Sequence, residues 1–141
     1  MVNLEKRQIA KRLIERFLAC EITNDGFHDA FPRDQGDPAL DAIYSNLWAY
    51  YSENNTHKLA GKYTLRADAR ELFQRCAAFL GTALEYVWPR YQWISPKYAL
   101  LRMFGFSKKI NNDFERFKSS GNFQVRPFAR EGDYRRALAT G

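Results

Sequence analysis

An aromatic stripe within DPALDAIYSNLWAYYS, residues 37–52, constrains the fold of this chain more than any other feature. Large apolar side chains recur there at i, i+3, i+4, i+7, i+8 and i+11, which places them on one face of a helix. They are Leu40, Ile43, Tyr44, Leu47, Trp48 and Tyr51. Asp37 and Pro38 mark the start, because aspartate caps first-turn amides and proline needs no N–H there. The sequence predicts a helix that buries its aromatic face.

The same spacing predicts helices on both sides of this stretch. A first helix runs from an Asn3 cap to about Cys20. Its predicted apolar face holds Ile9, Ala10, Leu13, Ile14, Phe17 and Leu18. Its basic residues, predicted to form a solvated face, are Lys6, Arg7, Lys11, Arg12 and Arg16. Thr23 is predicted to cap a short second helix.

After the central helix, residues 53–64 read as an ordered loop in which Leu59 and Tyr63 turn inward. Thr64 is a candidate cap for a helix with its stripe from Ala69 to Leu80, and Gly81 is predicted to end it in the left-handed conformation. This stripe predicts a third long amphipathic helix, which ends near Leu80.

The last third of the chain alternates extended and helical patterns. Residues 84–93 are predicted to be extended, and short helices follow over 95–105 and 107–121. Residues 122–131 are again extended, with Phe123, Val125 and Phe128 inward, before a last helix from about Glu131 in which Tyr134 and Leu138 share a face. We therefore predict one all-α domain over residues 1–141, an irregular bundle of six or seven helices with at most marginal strand content.

The composition is that of a folded protein with an unusually high aromatic content. The 141 residues are 45% hydrophobic and 16% aromatic, enough for one core without disulfide or metal. Cys20 and Cys76 both lie on apolar stripes, which indicates reduced thiols and a cytoplasmic protein. The N-terminus has no signal-peptide pattern, and no apolar run reaches the length of a membrane span, so we expect no membrane partner.

Positive charge is concentrated in the C-terminal part. Residues 1–83 carry 11 basic and 11 acidic side chains, whereas residues 84–141 carry 11 basic and 5 acidic ones, which accounts for the net charge of +6. Such a field attracts nucleic acid, an anionic surface or an acidic protein.

Residues 88–102 mix rings with cations, as protein-interface hot spots and single-stranded nucleic-acid surfaces both do. The competing interpretation is that these rings belong to the core. The candidate partner-binding residues are Arg90, Tyr91, Trp93, Lys97, Arg102, Arg116, Lys118, Arg126 and Arg130.

Nothing in the sequence predicts catalysis, a cofactor or a metal. His28 and His57 are the only histidines, and His28 has only Asp25 and Asp29 beside it, with no second histidine or cysteine at ligand spacing. Neither cysteine is placed for a nucleophilic pair, because burial raises a thiol pKa. No phosphate-binding, nucleophile-elbow or zinc-protease motif is present.

Four stretches carry a family resemblance: DPALDAIYSNLWAYYSE, HKLAGKYTL, ARELFQRCAAFL and FERFKSSGNFQVRPFAREGDYRRA. Through them the chain resembles a family of short bacterial proteins of about this length with no assigned chemistry, similar in style to the immunity proteins encoded beside bacterial toxins. The resemblance implies an all-α protein that binds another protein, and it implies no functional residues.

We therefore expect a small cytoplasmic protein-binding module, of immunity or antitoxin type, that holds an acidic protein partner through its basic, aromatic C-terminal surface. The alternative is a helical nucleic-acid-binding protein. The two differ in salt dependence, because phosphate contacts weaken steeply with salt and a ring-centred interface does not.

Overall fold

Five α-helices account for most of the chain that the structure describes. The computed structural model describes residues 1–51, 54–88 and 123–140. In chain order the helices are α1 (Leu4–Leu18), α2 (Asn24–Ala30), α3 (Pro38–Trp48), α4 (Ala67–Leu80) and α5 (Glu131–Thr140). Two 3₁₀ turns, Gly61–Tyr63 and Phe123–Val125, lie in the connections. No strand occurs in these three ranges, so the helical fold class is confirmed there.

The predicted helices over 95–105 and 107–121 lie outside the described residues, and the total of six or seven helices stays a prediction. None of the helices within the described ranges has the length and hydropathy that a membrane crossing requires.

The helix starts follow the predicted caps in three of four cases. The side chains of Asn3, Thr23 and Asp37 accept hydrogen bonds from Lys6 N, Gly26 N and Ala39 N at the starts of α1, α2 and α3.

The prediction that Thr64 caps α4 is wrong. Thr64 ends the 3₁₀ turn, and α4 begins after Arg66 with no side-chain cap.

The left-handed helix end occurs at α1 and not at α4. Cys20 has φ 59°. The amide of Cys20 donates to Phe17 O and the amide of Glu21 donates to Arg16 O, and these are the two hydrogen bonds of a Schellman motif. Gly81 has φ −73°, so its predicted left-handed conformation is wrong. Its amide donates to Ala77 O and Ala78 O, and Gly81 ends the helix in the right-handed conformation.

The core forms where α4 packs along α1 and against α5, with α2 and α3 covering one end. Phe17 of α1 stacks on Phe27 of α2, with ring centroids 4.7 Å apart, and Tyr51 meets both rings edge-on. The central helix was predicted to reach Ser52, but α3 ends at Trp48. Five of the six predicted stripe residues are buried, Tyr51 among them although it lies beyond the helix, and Trp48 is 44% exposed. Ile9, predicted to be inward on α1, is 37% exposed. Leu59 is buried, which confirms its predicted inward position.

The C-terminal residues close the other side of the core. Phe128 is buried between the rings of Phe79 and Tyr134, and its carbonyl accepts a hydrogen bond from Trp88 Nε1 at 3.2 Å. Val125 is also buried, as predicted, although it ends a 3₁₀ turn. Leu138, predicted to share a face of α5 with Tyr134, is 59% exposed.

A buried ion pair joins α1 to α3. Arg7, predicted to lie on the solvated face, is fully buried, and its Nε and Nη2 donate to the two carboxylate oxygens of Asp37 at 2.7 and 2.9 Å. Its Nη1 donates to the carbonyls of Thr82 and Leu84 at 3.1 and 2.7 Å. The prediction failed because helical spacing records polarity and cannot record a partner thirty residues away.

Asp37 therefore caps α3 and neutralises Arg7 at the same time. Burial raises the pKa of the Asp37 carboxyl, but hydrogen bonds from the Arg7 guanidinium and the Asn3 amide outweigh burial and leave that pKa below its ordinary value of 3.8. The carboxylate form is thus the one that the fold stabilises.

Replacing Asp37→Asn should cost about 3–5 kcal/mol of unfolding free energy, because it leaves the Arg7 guanidinium buried without a counter-charge. Asp41→Asn is the matched control: its ion pair with Arg33 is 3.4 Å long and exposed, so its loss should cost less than about 1 kcal/mol. Urea denaturation of both variants measures the two losses of unfolding free energy. Equal losses would show that the buried pair contributes no more to stability than the exposed one.

Stability should fall in acid through Asp37. A carboxyl whose pKa is lowered in the folded state stabilises the fold above its unfolded pKa, near 3.8, and this contribution disappears as pH falls through the lower folded value. Unfolding free energies measured below about pH 4 should therefore drop more steeply for the natural protein than for Asp37→Asn. Parallel curves for the two proteins would contradict this role.

Candidate functional site

A cavity of about 310 Å³ lies between the end of α3 and the start of α4. Rings, two cations and one histidine form most of its wall: Tyr50, Tyr51, His57, Lys62, Tyr63 and Arg66. Its volume is at the lower end of the about 300–1,000 Å³ typical of ligand pockets, which suits one small group.

The loop that forms one side of the cavity is fastened to α2. The amide of His57 donates to Asn24 Oδ1 at 2.8 Å, and the amide of Asn24 donates to His57 O at 2.9 Å. Asn24 Nδ2 also donates to Asn55 O, and Thr56 Oγ1 donates to the Asp25 carboxylate. Because Asn24 is buried, these bonds hold the loop on a fixed support.

His57 is the most buried polar group of the wall, with 7% of its surface exposed. Its ring stacks on Tyr63 with centroids 3.8 Å apart, and Nδ1 lies 2.7 Å from Asn55 O. Since a carbonyl only accepts, Nδ1 carries the hydrogen, an assignment made from the hydrogen-bond network. Nε2 is buried and has no hydrogen-bond partner among the described residues.

The start of α4 borders the same cavity through Arg66 and Ala69. With no side-chain cap, its first amides are directed out of the helix, and the helix dipole adds partial positive charge.

Two side-chain cations reinforce that positive end. Lys62 Nζ lies 5.0 Å from the centre of the Tyr63 ring, and Arg66 pairs with Asp68 at 3.5 Å, where both side chains are largely exposed. No carboxylate belongs to the described part of the cavity wall. The described wall thus combines aromatic rings with two cations, of which Arg66 is paired with Asp68 outside the wall.

Most of the predicted C-terminal surface lies outside the described residues. Those residues are Arg90, Tyr91, Trp93, Lys97, Arg102, Arg116 and Lys118. Arg126 is buried, with Nη2 donating to Tyr86 Oη at 3.1 Å and its guanidinium 5.6 Å from the Trp88 ring. Arg130 is exposed. Trp88 itself is in the core, so the one described ring of the 88–102 stretch follows the core interpretation.

The other titratable candidates have structural partners. His28 is exposed on α2, where its ring hydrogen-bonds Tyr44 Oη and meets Trp48 edge-on. Burial raises the pKa of the Cys76 thiol to about 12, and the half-buried Cys20 donates to Leu59 O at 3.4 Å. Across residues 1–51, 54–88 and 123–140, no group of acidic, histidine and cysteine side chains is arranged to hold a metal.

In the sequence analysis, Tyr50 and Tyr51 were placed on the central helix, residues 53–64 in an ordered loop and Ala69 on the next helix, and these residues were not singled out as a site. One signal for the site is the length of the connection from α3 to α4. Residues 49–66 exceed the about 12–15 residues beyond which irregular connections are uncommon and often functional, and their described part holds one short 3₁₀ turn.

No protein-family model, curated protein or solved structure matches this chain. Its resemblance to immunity-type proteins therefore stays a prediction, and the proposed function rests on the residues that line the cavity.

The two thiols should react very differently. At about pH 8 a thiol with a pKa near 12 is ionised in only about one molecule in ten thousand, so Cys76 should resist a disulfide reagent until the protein unfolds. We expect one fast-reacting thiol per native chain, and none after Cys20→Ser. Two fast thiols in the native protein would contradict the burial of Cys76.

Proposed function

We propose that this protein acts by binding an acidic protein partner, and that the cavity between α3 and α4 takes part in that contact. The observation that carries the proposal is the cavity wall, in which Lys62 and Arg66 stand beside tyrosine rings without a carboxylate in its described part. Tyrosine and arginine are enriched at the centres of protein interfaces, and complementary charge selects the partner.

Exposed rings beside the cavity extend the proposed contact. Trp48 and Tyr50 are each 44% exposed at and just beyond the end of α3. Large rings at a surface gain apolar burial when a partner covers them, whereas lysine and arginine alone give a salt-sensitive attraction. The combination favours a compact protein interface over a phosphate-tracking surface.

The positive field of residues 84–141 fits the same partner, because it raises the rate of encounter with an acidic surface wherever the contact itself lies. An immunity-type protein that holds the acidic domain of a toxin in the cytoplasm is one form of this function. The other predicted C-terminal residues, without the buried Arg126, remain candidates for a second part of the interface.

A pull-down from lysate of the source cells tests the proposal. Immobilised protein, with and without nuclease, is washed at about 50 and about 200 mM salt. We expect an acidic protein to remain after nuclease and at the higher salt, because a ring-centred interface depends little on counterion release. An unrelated bait of similar pI, near 9.4, controls for capture by charge alone.

Recovery of nucleic acid alone, removed at the higher salt, would contradict the proposal and favour a nucleic-acid-binding protein. Equal recovery on the control bait would show that charge, and not this surface, captures the material.

A further inference from the structure

We propose that the cavity receives one aromatic side chain of the acidic partner, a phenyl or phenol ring, and that an acidic residue beside that ring lies near Lys62. This inference deepens the proposed function and rests on it. It names the side chain that enters the site and the kind of segment that carries it.

The size of the cavity suits one ring. Its volume is about 310 Å³. A cavity of about 150 Å³ is enough to hold benzene, so this volume accommodates a ring together with the atoms that join it to a backbone. Whole small-molecule ligands occupy pockets of up to about 1,000 Å³, and this cavity is at the lower end of that range. A single side chain therefore fits the space better than a larger ligand.

Three tyrosines form the aromatic part of the wall from two sides. Tyr50 and Tyr51 follow the end of α3, and Tyr63 lies in the 3₁₀ turn before α4. Tyr51 is buried, Tyr50 meets the core ring of Phe73 edge-on, and Tyr63 stacks on His57. Because the fold already positions these rings, an incoming group does not have to order them, and preorganisation of this kind lowers the cost of binding.

Tyr50 gives the reason to expect a ring and not an aliphatic side chain. Although Phe73 supports it, Tyr50 keeps 44% of its surface exposed at the cavity. Two aromatic side chains in contact gain more than the apolar area that they bury, because the edge of one ring is attracted to the face of the other. An aromatic anchor in a ring-lined pocket is also the usual centre of a protein interface.

The charge at the cavity indicates which residues flank the incoming ring. Lys62 is exposed and forms no ion pair with any residue that the structure describes, whereas Arg66 already pairs with Asp68. Since the described wall has no carboxylate, the charge of Lys62 is left for a partner, and an acidic residue beside the ring complements it. This contribution is smaller than that of the ring, because solvent and salt screen an exposed lysine.

The test titrates the full chain with capped dipeptides at constant ionic strength and follows the amide signals of Ala49, Tyr50 and Ala69. The reference ligand is N-acetyl-glutamyl-phenylalanine amide, and we expect saturable binding on the order of millimolar. N-acetyl-glutamyl-leucine amide, which has no ring, should bind at least about fivefold more weakly. N-acetyl-glutaminyl-phenylalanine amide, which has no charge, should bind about twofold more weakly.

Each ligand has an outcome that contradicts the proposal. No saturable binding of the reference dipeptide, or equal binding of the leucine dipeptide, would overturn the aromatic receptor. Glutaminyl binding as tight as glutamyl binding would overturn the acidic neighbour. Adenosine monophosphate is the nucleotide arm, and tighter saturable binding of it than of the reference dipeptide would overturn a protein side chain as the occupant.

A matched pair of ring variants identifies the site. Tyr50→Leu removes a ring from the wall and should weaken binding of the reference dipeptide at least about fivefold. Trp48→Leu is the control, because Trp48 has the same exposed fraction of 44% and lies outside the wall, so binding should change less than about twofold. Urea midpoints verify that both variants are folded. Equal effects of the two substitutions would overturn the site.

A matched pair of lysine variants tests the acidic neighbour. Lys62→Gln should remove the advantage of the glutamyl over the glutaminyl dipeptide, since it removes the charge that the glutamate complements. Lys58→Gln removes an exposed lysine that also forms no ion pair with the described residues and lies outside the wall, so the advantage should remain. An advantage that persists in Lys62→Gln would overturn the role of Lys62.

The pull-down separates this inference from the function beneath it. If Tyr50→Leu captures the acidic partner as well as the natural protein does, the aromatic receptor fails and the binding function stands. If no form captures an acidic protein, the proposed function fails, whatever the dipeptides do.

Discussion

The buried pair of Arg7 and Asp37 is the interaction on which the rest of this structure depends. One guanidinium satisfies both oxygens of one carboxylate and two backbone carbonyls beyond the end of α4, so α1, α3 and α4 meet at a single charged group. Because the same carboxylate caps α3, the start of the aromatic helix and the neutralisation of Arg7 cannot be separated. A buried pair gives little net stability compared with apolar residues of similar size. Removing one partner is strongly destabilising, however, because the other charge is then buried and unpaired. The pair therefore specifies the one arrangement in which both charges are matched.

That arrangement positions the cavity about 16 Å away along the eleven residues of α3. The far end of α3 exposes Trp48 and Tyr50, and the chain returns through a loop that Asn24 ties to α2 before α4 starts without a side-chain cap. The packing of α4 on α1 fixes the direction of that uncapped end. The ordered framework thus brings the exposed rings at the end of α3 and the uncapped start of α4 to the same cavity.

Helical spacing predicted much of the framework, because apolar stripes and capping residues are local signals. The starts of α1, α2, α3 and α5, most of the buried face of α3 and the inward Leu59 follow from them, whereas α1 and α3 end earlier than predicted, at Leu18 and Trp48. The sequence could not predict that Arg7 turns inward, since its partner is distant in the chain, or that α4 starts without a Thr64 cap, since a threonine at that spacing is an ordinary cap. Thr64 instead closes the 3₁₀ turn, where its amide donates to Gly61 O. The candidate site was missed because its residues come from the end of one predicted helix, a predicted loop and the start of the next helix. The C-terminal surface was predicted because residues 88–102 mix rings with cations.

The central claim is that an acidic partner reaches the cavity, and site-directed photo-crosslinking tests it most directly. Tyr50→p-benzoylphenylalanine places the reactive ring in the cavity wall, and Leu4→p-benzoylphenylalanine places it on an equally exposed part of α1 outside that wall. In lysate of the source cells, the account predicts a crosslink from position 50, mapped by mass spectrometry to a segment of one protein that contains aspartate or glutamate, and none from position 4. A protein crosslinked only from position 4, or nucleic acid alone crosslinked from position 50, would contradict it.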